Sequence, residues 1–237
     1  MRNYFILSLM ALSLAFISCN KTADIPGVSS SITSNGVISG TVVNNVANII
    51  DSISVVGNGL IGKSLLSSTG QFSFTINIPS NFSLYPIGNE GSGVTVSDST
   101  ALTAAFQGIY SYKKGIMSGV LLKINSTTDS LNKAGISVSY FVYSDRVVKM
   151  LGTHISTETI NGITYKTTSI YNLTLNKGWN EFTCTVNSYS KIANSYTESD
   201  SYSNTIGSDL QWRYFGYPSS KVRSNAKSQQ RALSFLR

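Results

Sequence analysis

The alternation of apolar and polar residues is the feature that most restricts the fold of this chain. Across residues 37–215, short alternating or β-branched runs are separated by turn residues rich in Gly, Asn and Ser. In the clearest run, Phe72, Phe74 and Ile76 alternate with polar residues. No stretch repeats with the 3.6-residue period of an amphipathic helix. The sequence therefore predicts an all-β protein.

The composition supports this fold class and a packed core. Charged residues make up 12% of the 237 residues, about half the usual share, while hydrophobic residues reach 41%. Polarity therefore comes mainly from hydroxyl and amide side chains, which suit strands and turns. The length allows one large or two small domains, so we expect one or two immunoglobulin- or transthyretin-like β-sandwiches.

The net charge of +7 is concentrated at the C-terminus. The last seventeen residues hold no acid and five basic residues, so the rest of the chain carries a net charge of only +2. A basic end of this kind is typically solvated, so residues 218–237 are interpreted as a tail and a nucleic-acid partner is not expected. The five basic residues are Lys221, Arg223, Lys227, Arg231 and Arg237.

The first nineteen residues have the layout of an export signal. Arg2 precedes an apolar run, Phe5–Ile17, that is too short for a transmembrane helix. The run ends in F-I-S-C19, which resembles the lipobox of bacterial lipoproteins. The resemblance implies that residues 1–18 are removed and that Cys19 is lipidated, which anchors the protein in the cell envelope, at the outer membrane. The alternative is an ordinary secretory signal.

The rest of the chain divides into a tether and either two domains or one. Residues 19–36 are rich in Ser and Thr and contain Pro26 and Gly27, as in a flexible tether. The Gly-rich break at 88–93 favours one sandwich over residues 37–93 and another over 94–217. The alternative is one large sandwich that includes the N-terminal strands.

Two resemblances accompany this division. The segments I38-S-G-T-V, D51-S-I-S-V and S68-T-G-Q-F-S-F-T-I are similar to the carboxypeptidase regulatory-like, transthyretin-type β-sandwich. The segments Y143-S-D-R and Y171-N-L-T-L-N-K-G-W-N resemble small exported Gram-negative lipoproteins of unknown function. The second resemblance implies β-sandwiches behind a lipid anchor and brings no catalytic residues with it.

Local signals predict two tight turns and an inert thiol. Asn161-Gly162 is typical of a two-residue hairpin. The turn at 176–178 ends in glycine, so we expect a second hairpin there, with Trp179 packing to hold it. Cys184 shares its alternating face with apolar residues and is interpreted as buried and unreactive.

The chain contains none of the local motifs of hydrolases or nucleotide-binding enzymes, so no catalytic residue, metal or cofactor is predicted. Glu198 and Asp200 lie in a Ser- and Tyr-rich run that we interpret as a solvated loop. We expect a non-catalytic binding or structural module. The alternative is an envelope hydrolase whose acidic residues assemble only in three dimensions.

Aromatic residues of the C-terminal half are the candidate ligand contacts. Exposed Tyr and Trp rings form amphipathic surfaces that bind sugars or proteins, whereas the alternative is that they cover the edge of a sandwich. The low charge density favours a neutral glycan or another envelope protein as the partner. The candidates are Tyr189, Tyr196, Tyr202, Trp212 and Tyr214.

Three serines follow an Asp-Ser-apolar or Asp-Ser-Thr pattern that some Gram-negative lineages O-glycosylate in exported proteins. Each is expected at a turn or a strand edge, where modification is sterically possible. These candidate O-glycosylation sites are Ser52, Ser99 and Ser130.

Overall fold

The computed structural model describes residues 32–45, 49–57, 59–80, 84–87, 93–105, 108–128 and 132–216. Within these residues the fold is all-β and contains no helix, as the alternation predicts. The strands are β1 (Val37–Thr41), β2 (Ser52–Gly57), β3 (Gly59–Leu65), β4 (Gln71–Thr75), β5 (Tyr85–Pro86), β6 (Val94–Val96), β7 (Leu102–Ala105), β8 (Gly108–Lys113), β9 (Ile116–Ile124), β10 (Ser137–Ser144), β11 (Val148–Ile160), β12 (Ile163–Leu175), β13 (Gly178–Ile192), β14 (Ser195–Ser203) and β15 (Gln211–Gly216).

Most of these strands belong to one hydrogen-bonded sheet. Its main path is β3-β2-β8-β9-β10-β13-β14-β12-β11-β6, with β15 on β9, β7 on β10 and β5 on β7. A second sheet consists of β1 and β4, which run antiparallel. Among the described strand pairs, β12 and β14 alone run parallel, and this pairing positions the candidate site below.

Two hydrophobic cores lie on opposite faces of the central strands β9, β10 and β13. Along β10, Tyr140 and Val142 pack in the first core, while Phe141 between them packs in the second. Along β13, Trp179 packs in the second core and Phe182 in the first. A strand that is buried on both faces shows a nearly continuous apolar run instead of alternation. The first core also involves β11, β12 and β14, and the second involves β1, β2, β4 and β15.

Strand pairing and packing cross the domain boundary that the sequence predicted. β2 pairs with β8 although the Gly-rich break lies between them in sequence. Ile38 of β1 and Trp212 of β15 share the second core. The two cores therefore do not correspond to residues 37–93 and 94–217, because the N-terminal strands pack on strands of the C-terminal half.

The glycine of the first motif lies against a tryptophan in the second core. A Cβ atom added at Gly40 would collide with the indole of Trp212 at Cδ1 and Nε1. The Trp212 ring stacks on Phe141 with centroids 5.8 Å apart and planes 6° apart, and meets Phe72 edge-on at 5.4 Å. Glycine at position 40 therefore lets β1 approach the aromatic centre of this core.

Asparagine side chains extend the backbone hydrogen bonding of the sheets. Asn44 Nδ2 donates to the carbonyl of Tyr214, and Asn44 Oδ1 accepts from its N–H, both at 2.7 Å. Asn204 makes the same two bonds with Thr174, at 2.9 and 2.6 Å. Each amide thus satisfies both backbone groups of one residue, as a neighbouring strand would.

The two predicted hairpin turns have different outcomes. Asn161 and Gly162 have φ values of 51° and 76°, as a type I′ turn requires, and they join the paired strands β11 and β12. Gly178 also has a positive φ of 100°, but β14 lies between β12 and β13 in the sheet. The second hairpin prediction is therefore wrong. Trp179 packs in the second core, where its ring meets Tyr143 edge-on at 5.7 Å.

Candidate functional site

Several predicted features lie outside the described residues. They are the signal peptide 1–18, the lipidated Cys19, the tether up to residue 31, Ser130 and the basic tail 218–237. In the part of the chain that the structure describes, no helix is long and apolar enough to cross a membrane. Export, lipidation and anchoring stay predictions from the sequence.

The two described serines of the modification pattern differ in accessibility. Ser52 in β2 is 6% exposed and donates its hydroxyl to Asp51 at 3.0 Å. Ser99 is exposed in a turn in which Asp98 accepts hydrogen bonds from Thr100. A modifying enzyme needs an accessible hydroxyl. The burial of Ser52 therefore contradicts its prediction as an O-glycosylation site, and Ser99 stays a prediction.

The five candidate aromatic residues do not form one surface. Tyr202 is 5% exposed and stacks on Tyr171 in the first core, with centroids 4.9 Å apart. Trp212 is 4% exposed in the second core. Tyr214 is half-buried against the second core and donates its hydroxyl to the Ser118 carbonyl at 3.0 Å. Tyr202 and Trp212 are core residues, which leaves Tyr189 and Tyr196 as the candidates on a common surface.

Tyr189 and Tyr196 lie where four strands extend beyond the first core. β11, β12, β14 and β13 continue in this order as a sheet whose far residues are mostly exposed or half-buried on both faces. β11 and β12 stay paired to the end of their hairpin, and β13 and β14 do the same. We call this region, residues 153–168 and 187–199, the projecting sheet.

One row of side chains crosses the projecting sheet from edge to edge. Strand register places Glu158 beside Tyr165, Tyr165 beside Tyr196, and Tyr196 beside Lys191. The two tyrosine rings stack with centroids 5.1 Å apart and planes 11° apart. Lys191 Nζ lies 5.1 Å from the centroid of the Tyr196 ring, and a hydrogen bond with Tyr196 raises the pKa of Lys191. We call these four residues the tyrosine row.

Tyr189 adds a third ring next to the tyrosine row. It lies beside Glu198 in the strand register, and its ring centroid is 6.4 Å from that of Tyr196. Partial burial raises the pKa of Tyr189, and the nearby Tyr196 and Glu198 raise it further. The Tyr189 phenol is therefore neutral at neutral pH. Together the three tyrosines offer ring faces and hydroxyl groups to a ligand.

Tyr165 is not among the ligand contacts that the sequence predicts. Tyr165 and Tyr196 meet because β12 and β14 pair in parallel across a connection that contains all of β13. One local signal was available, since each tyrosine follows a hairpin turn by a few residues. That signal does not show which strands become neighbours.

A buried carboxyl group lies at the base of the projecting sheet. Asp200 is in β14 and is 7% exposed, so the prediction of a solvated loop is wrong. Its Oδ1 atom has no hydrogen-bond partner among the described protein groups. Ser169 is its neighbour on β12, and His154 is the neighbour of Ser169 on β11. The pairing of β14 on β12 brings this acidic residue over the edge of the first core.

The surroundings of Asp200 alter its protonation. Burial raises the pKa of Asp200 from its ordinary value of 3.8 to about 7, and the charge and hydrogen bond of Glu198 contribute to the rise. A carboxyl group with such a pKa can exchange a proton near neutral pH. Within the described residues, no group of three or more His, Cys, Asp and Glu side chains could hold a metal ion.

Cys184 packs against the first core on the same face of β13 as Phe182. Burial is the main reason that the pKa of its thiol lies far above its usual value, with Asp200 adding to the effect. The group is therefore a neutral thiol at neutral pH, which agrees with the predicted lack of reactivity.

Comparison with known proteins gives no match for this chain among protein families, curated proteins or solved structures. The tyrosine row and the environment of Asp200 are therefore the features from which a function is proposed.

Proposed function

We propose that this protein is a lipid-anchored, non-catalytic binding module of the cell envelope that takes a neutral glycan on the projecting sheet. The observation that carries the proposal is the stacked pair Tyr165–Tyr196, half-buried at the surface with Tyr189 beside it. The strands on either side hold these rings in place before a ligand arrives. Such preorganisation lowers the entropy cost of binding.

The charges around the rings favour an uncharged ligand. Glu158 and Lys191 end the tyrosine row with opposite charges, and Glu198 lies beside Tyr189. An anionic ligand requires several converging Arg or Lys side chains. The described residues of this face supply one, Lys191, and it already contacts a tyrosine ring.

The neighbouring hydroxyl groups complete the surface that a sugar needs. Ser156 on β11 and Thr167 on β12 are paired with each other in the row next to the tyrosine row. Sugars place their C–H faces on aromatic rings and hydrogen bond through their hydroxyl groups. Rings with adjacent hydroxyl side chains therefore suit a neutral glycan better than a purely apolar ligand.

The cellular context of the proposal comes from the sequence. The lipobox-like F-I-S-C19 supports lipidation of Cys19 and anchoring at the outer membrane. The motifs in residues 38–76 support a relationship to the transthyretin-type sandwich, and the all-β fold is compatible with such a sandwich. A tether of this kind would hold the projecting sheet outside the bilayer.

A glycan array with the full chain tests the proposal. Wild-type protein is expected to bind neutral glycans, and Tyr196→Ala is expected to weaken binding because it removes the ring shared by both aromatic contacts. Tyr85→Ala is the matched control, since Tyr85 is 49% exposed on β5. No binding by correctly folded wild-type protein, or equal loss in both variants, would contradict the proposal.

A hydrolase is the second candidate, and Asp200 is the observation that favours it. Its pKa of about 7 fits a group that transfers protons. It also lies in one row of the sheet with Ser169 and His154, which are further polar side chains for such a site. The test is whether the protein hydrolyses envelope polysaccharides or peptides. Loss of this activity in Asp200→Asn but not in Asp98→Asn would support the alternative. Unchanged activity in Asp200→Asn would exclude Asp200 as its catalytic group.

A further inference from the structure

The two outer strands of the projecting sheet have free edges in the described part of the chain. On its outer edge β11 pairs with β6 through Met150–Gly152 and bonds Gly93 through the Thr153 N–H. From His154 to Ile160 it pairs only with β12 among the described strands. β13 pairs with β10 up to Thr185, and Val186 still bonds Gly135 and Ile136 just before β10. Among the described strands, the residues of β13 from Ser188 on pair only with β14. Unpaired strand edges are templates for pairing with another chain.

These two edges are compatible in direction. β11 is antiparallel to β12, β12 is parallel to β14, and β14 is antiparallel to β13. β11 and β13 therefore run in the same direction. Two copies that lie side by side in the same orientation would place β11 of one next to β13 of the other as a parallel pair, the arrangement that β12 and β14 already have.

The edges are also complementary in charge. Glu158 on β11 and Lys191 on β13 are exposed, and they end the same row on the same face of the sheet. In two copies placed side by side, Glu158 of one would lie beside Lys191 of the other. Opposite charges in neighbouring positions favour this register of the β11–β13 pair over registers that lack the contact.

Apolar side chains on these edges would gain from the same contact. Ile155 on β11 is 59% exposed and Ile192 on β13 is 74% exposed. Natural proteins usually shorten, twist or charge an open edge to prevent association. Here both edges are several residues long and carry exposed isoleucines.

We propose that copies of this chain associate edge to edge, with β11 of one copy pairing in parallel with β13 of the next. The partner is a second copy of the chain, and the contact does not require a glycan. Because each copy keeps one free edge of each kind, the association is open-ended and yields rows rather than closed dimers.

Cysteine cross-linking in cells that make the full chain tests this contact. Within one copy, positions 158 and 191 are separated by three strand spacings, about 14 Å at roughly 4.8 Å each. A disulfide needs Cα atoms within about 7 Å, so the double variant Glu158→Cys/Lys191→Cys can cross-link only between copies. Mild oxidation is expected to give a ladder of oligomers on a non-reducing gel.

The controls separate this arrangement from others. Lys63→Cys/Lys177→Cys places two cysteines at other exposed positions and measures random collision. Each single variant tests a two-fold contact, because a β11–β11 or β13–β13 pair would cross-link through one cysteine per copy. The proposal is supported if Glu158→Cys/Lys191→Cys gives a ladder stronger than that of Lys63→Cys/Lys177→Cys while neither single variant does. Dimers from a single variant, or no product above background, would overturn it.

Charge reversal provides an independent measurement. Glu158→Lys is expected to weaken association of the full chain in detergent about tenfold, because two lysines would face each other across the contact. The double variant Glu158→Lys/Lys191→Glu restores unlike charges and should recover association. Sedimentation velocity measures both effects, and a double variant that associates no better than Glu158→Lys would contradict the predicted register.

Discussion

Lys123 Nζ donates a hydrogen bond to Glu181 Oε1 at 2.8 Å, with the two side chains only 8% and 0% exposed. The strand register places Lys123 beside Trp212 and Glu181 beside Phe141, whose rings stack on each other. The ion pair and the aromatic stack therefore lie next to each other on the second-core face of β15, β9, β10 and β13. Unlike a surface ion pair, this one has lost nearly all of its hydration.

Removal of one partner of this ion pair is expected to be strongly destabilising. Glu181→Ala leaves the Lys123 ammonium buried without its carboxylate, which costs about 3–5 kcal/mol in comparable sites. Lys123→Met together with Glu181→Leu removes both charges and keeps side-chain volume, so the double variant should be more stable than Glu181→Ala. Urea unfolding followed by tryptophan fluorescence measures the free energies.

An exposed ion pair is the matched control. Arg146 pairs with Asp98 and Asp145 at 3.4 and 2.8 Å, but its side chain is 46% exposed. Arg146→Ala should destabilise the protein much less than Glu181→Ala, because water screens these charges. If Arg146→Ala and Glu181→Ala lower the free energy of unfolding by similar amounts, the buried ion pair contributes no more to stability than an exposed one.

Gly40→Ala is expected to destabilise the protein, because the new methyl group would collide with the Trp212 indole. Overpacking of a core typically costs about 1–3 kcal/mol. Ser39→Ala is the control, since Ser39 is the neighbouring residue on the exposed side of β1. Thermal unfolding should show a lower midpoint for Gly40→Ala alone, and equal midpoints would contradict the predicted contact.

Asn44→Ala is expected to lower the free energy of unfolding by about 1–3 kcal/mol, because it removes both bonds to the Tyr214 backbone. Asn44→Asp keeps the acceptor and loses the donor. Its second carboxylate oxygen would face the Tyr214 carbonyl, so this variant should also be destabilised. Chemical denaturation of the two variants gives the comparison, and a stability of Asn44→Ala equal to wild type would contradict a structural role for the amide.

The protonation of Asp200 should make stability depend on pH. Its pKa is about 7 in the folded protein, against 3.8 for an ordinary Asp, so the folded state binds the proton more tightly. This contribution is fully present below pH 3.8 and is lost as the pH rises through about 7. At pH 8 the free energy of unfolding of Asp200→Asn should be higher than that of wild type by at least about 1 kcal/mol. This difference should shrink towards pH 4.

Asp98→Asn is the control for this pH effect, because its sign is opposite. Hydrogen bonds from Thr100 lower the pKa of Asp98, so its contribution is present at neutral pH and lost on acidification. Denaturant unfolding between pH 4 and pH 8 measures both variants. A constant difference between Asp200→Asn and wild type across this range would contradict the raised pKa of Asp200.

Local patterns in the sequence were sufficient for the fold class and several details. The alternation in β4 correctly placed Phe72 and Phe74 inside, with exposures of 5% and 7%. The Asn161-Gly162 hairpin was also correct, because a type I′ turn depends on the backbone preferences of two adjacent residues. Both features are decided within a few residues of chain.

Local patterns were not sufficient to identify strand neighbours, and the candidate site depends on these. The turn before Trp179 was predicted to close a hairpin, yet β14 lies between the two strands that it joins. The parallel pairing of β12 and β14 brings Tyr165 to Tyr196 and buries Asp200, and no short-range signal predicts either outcome.

The sequence by itself therefore determined that the chain is all-β and where several of its strands and turns lie. Tertiary structure alone decided that Tyr202 and Trp212 belong to two different cores while Tyr189 and Tyr196 stay at the surface. The physical reason is that alternation shows which residues of a strand share a face. What covers that face is set by the packing of strands that are distant in sequence.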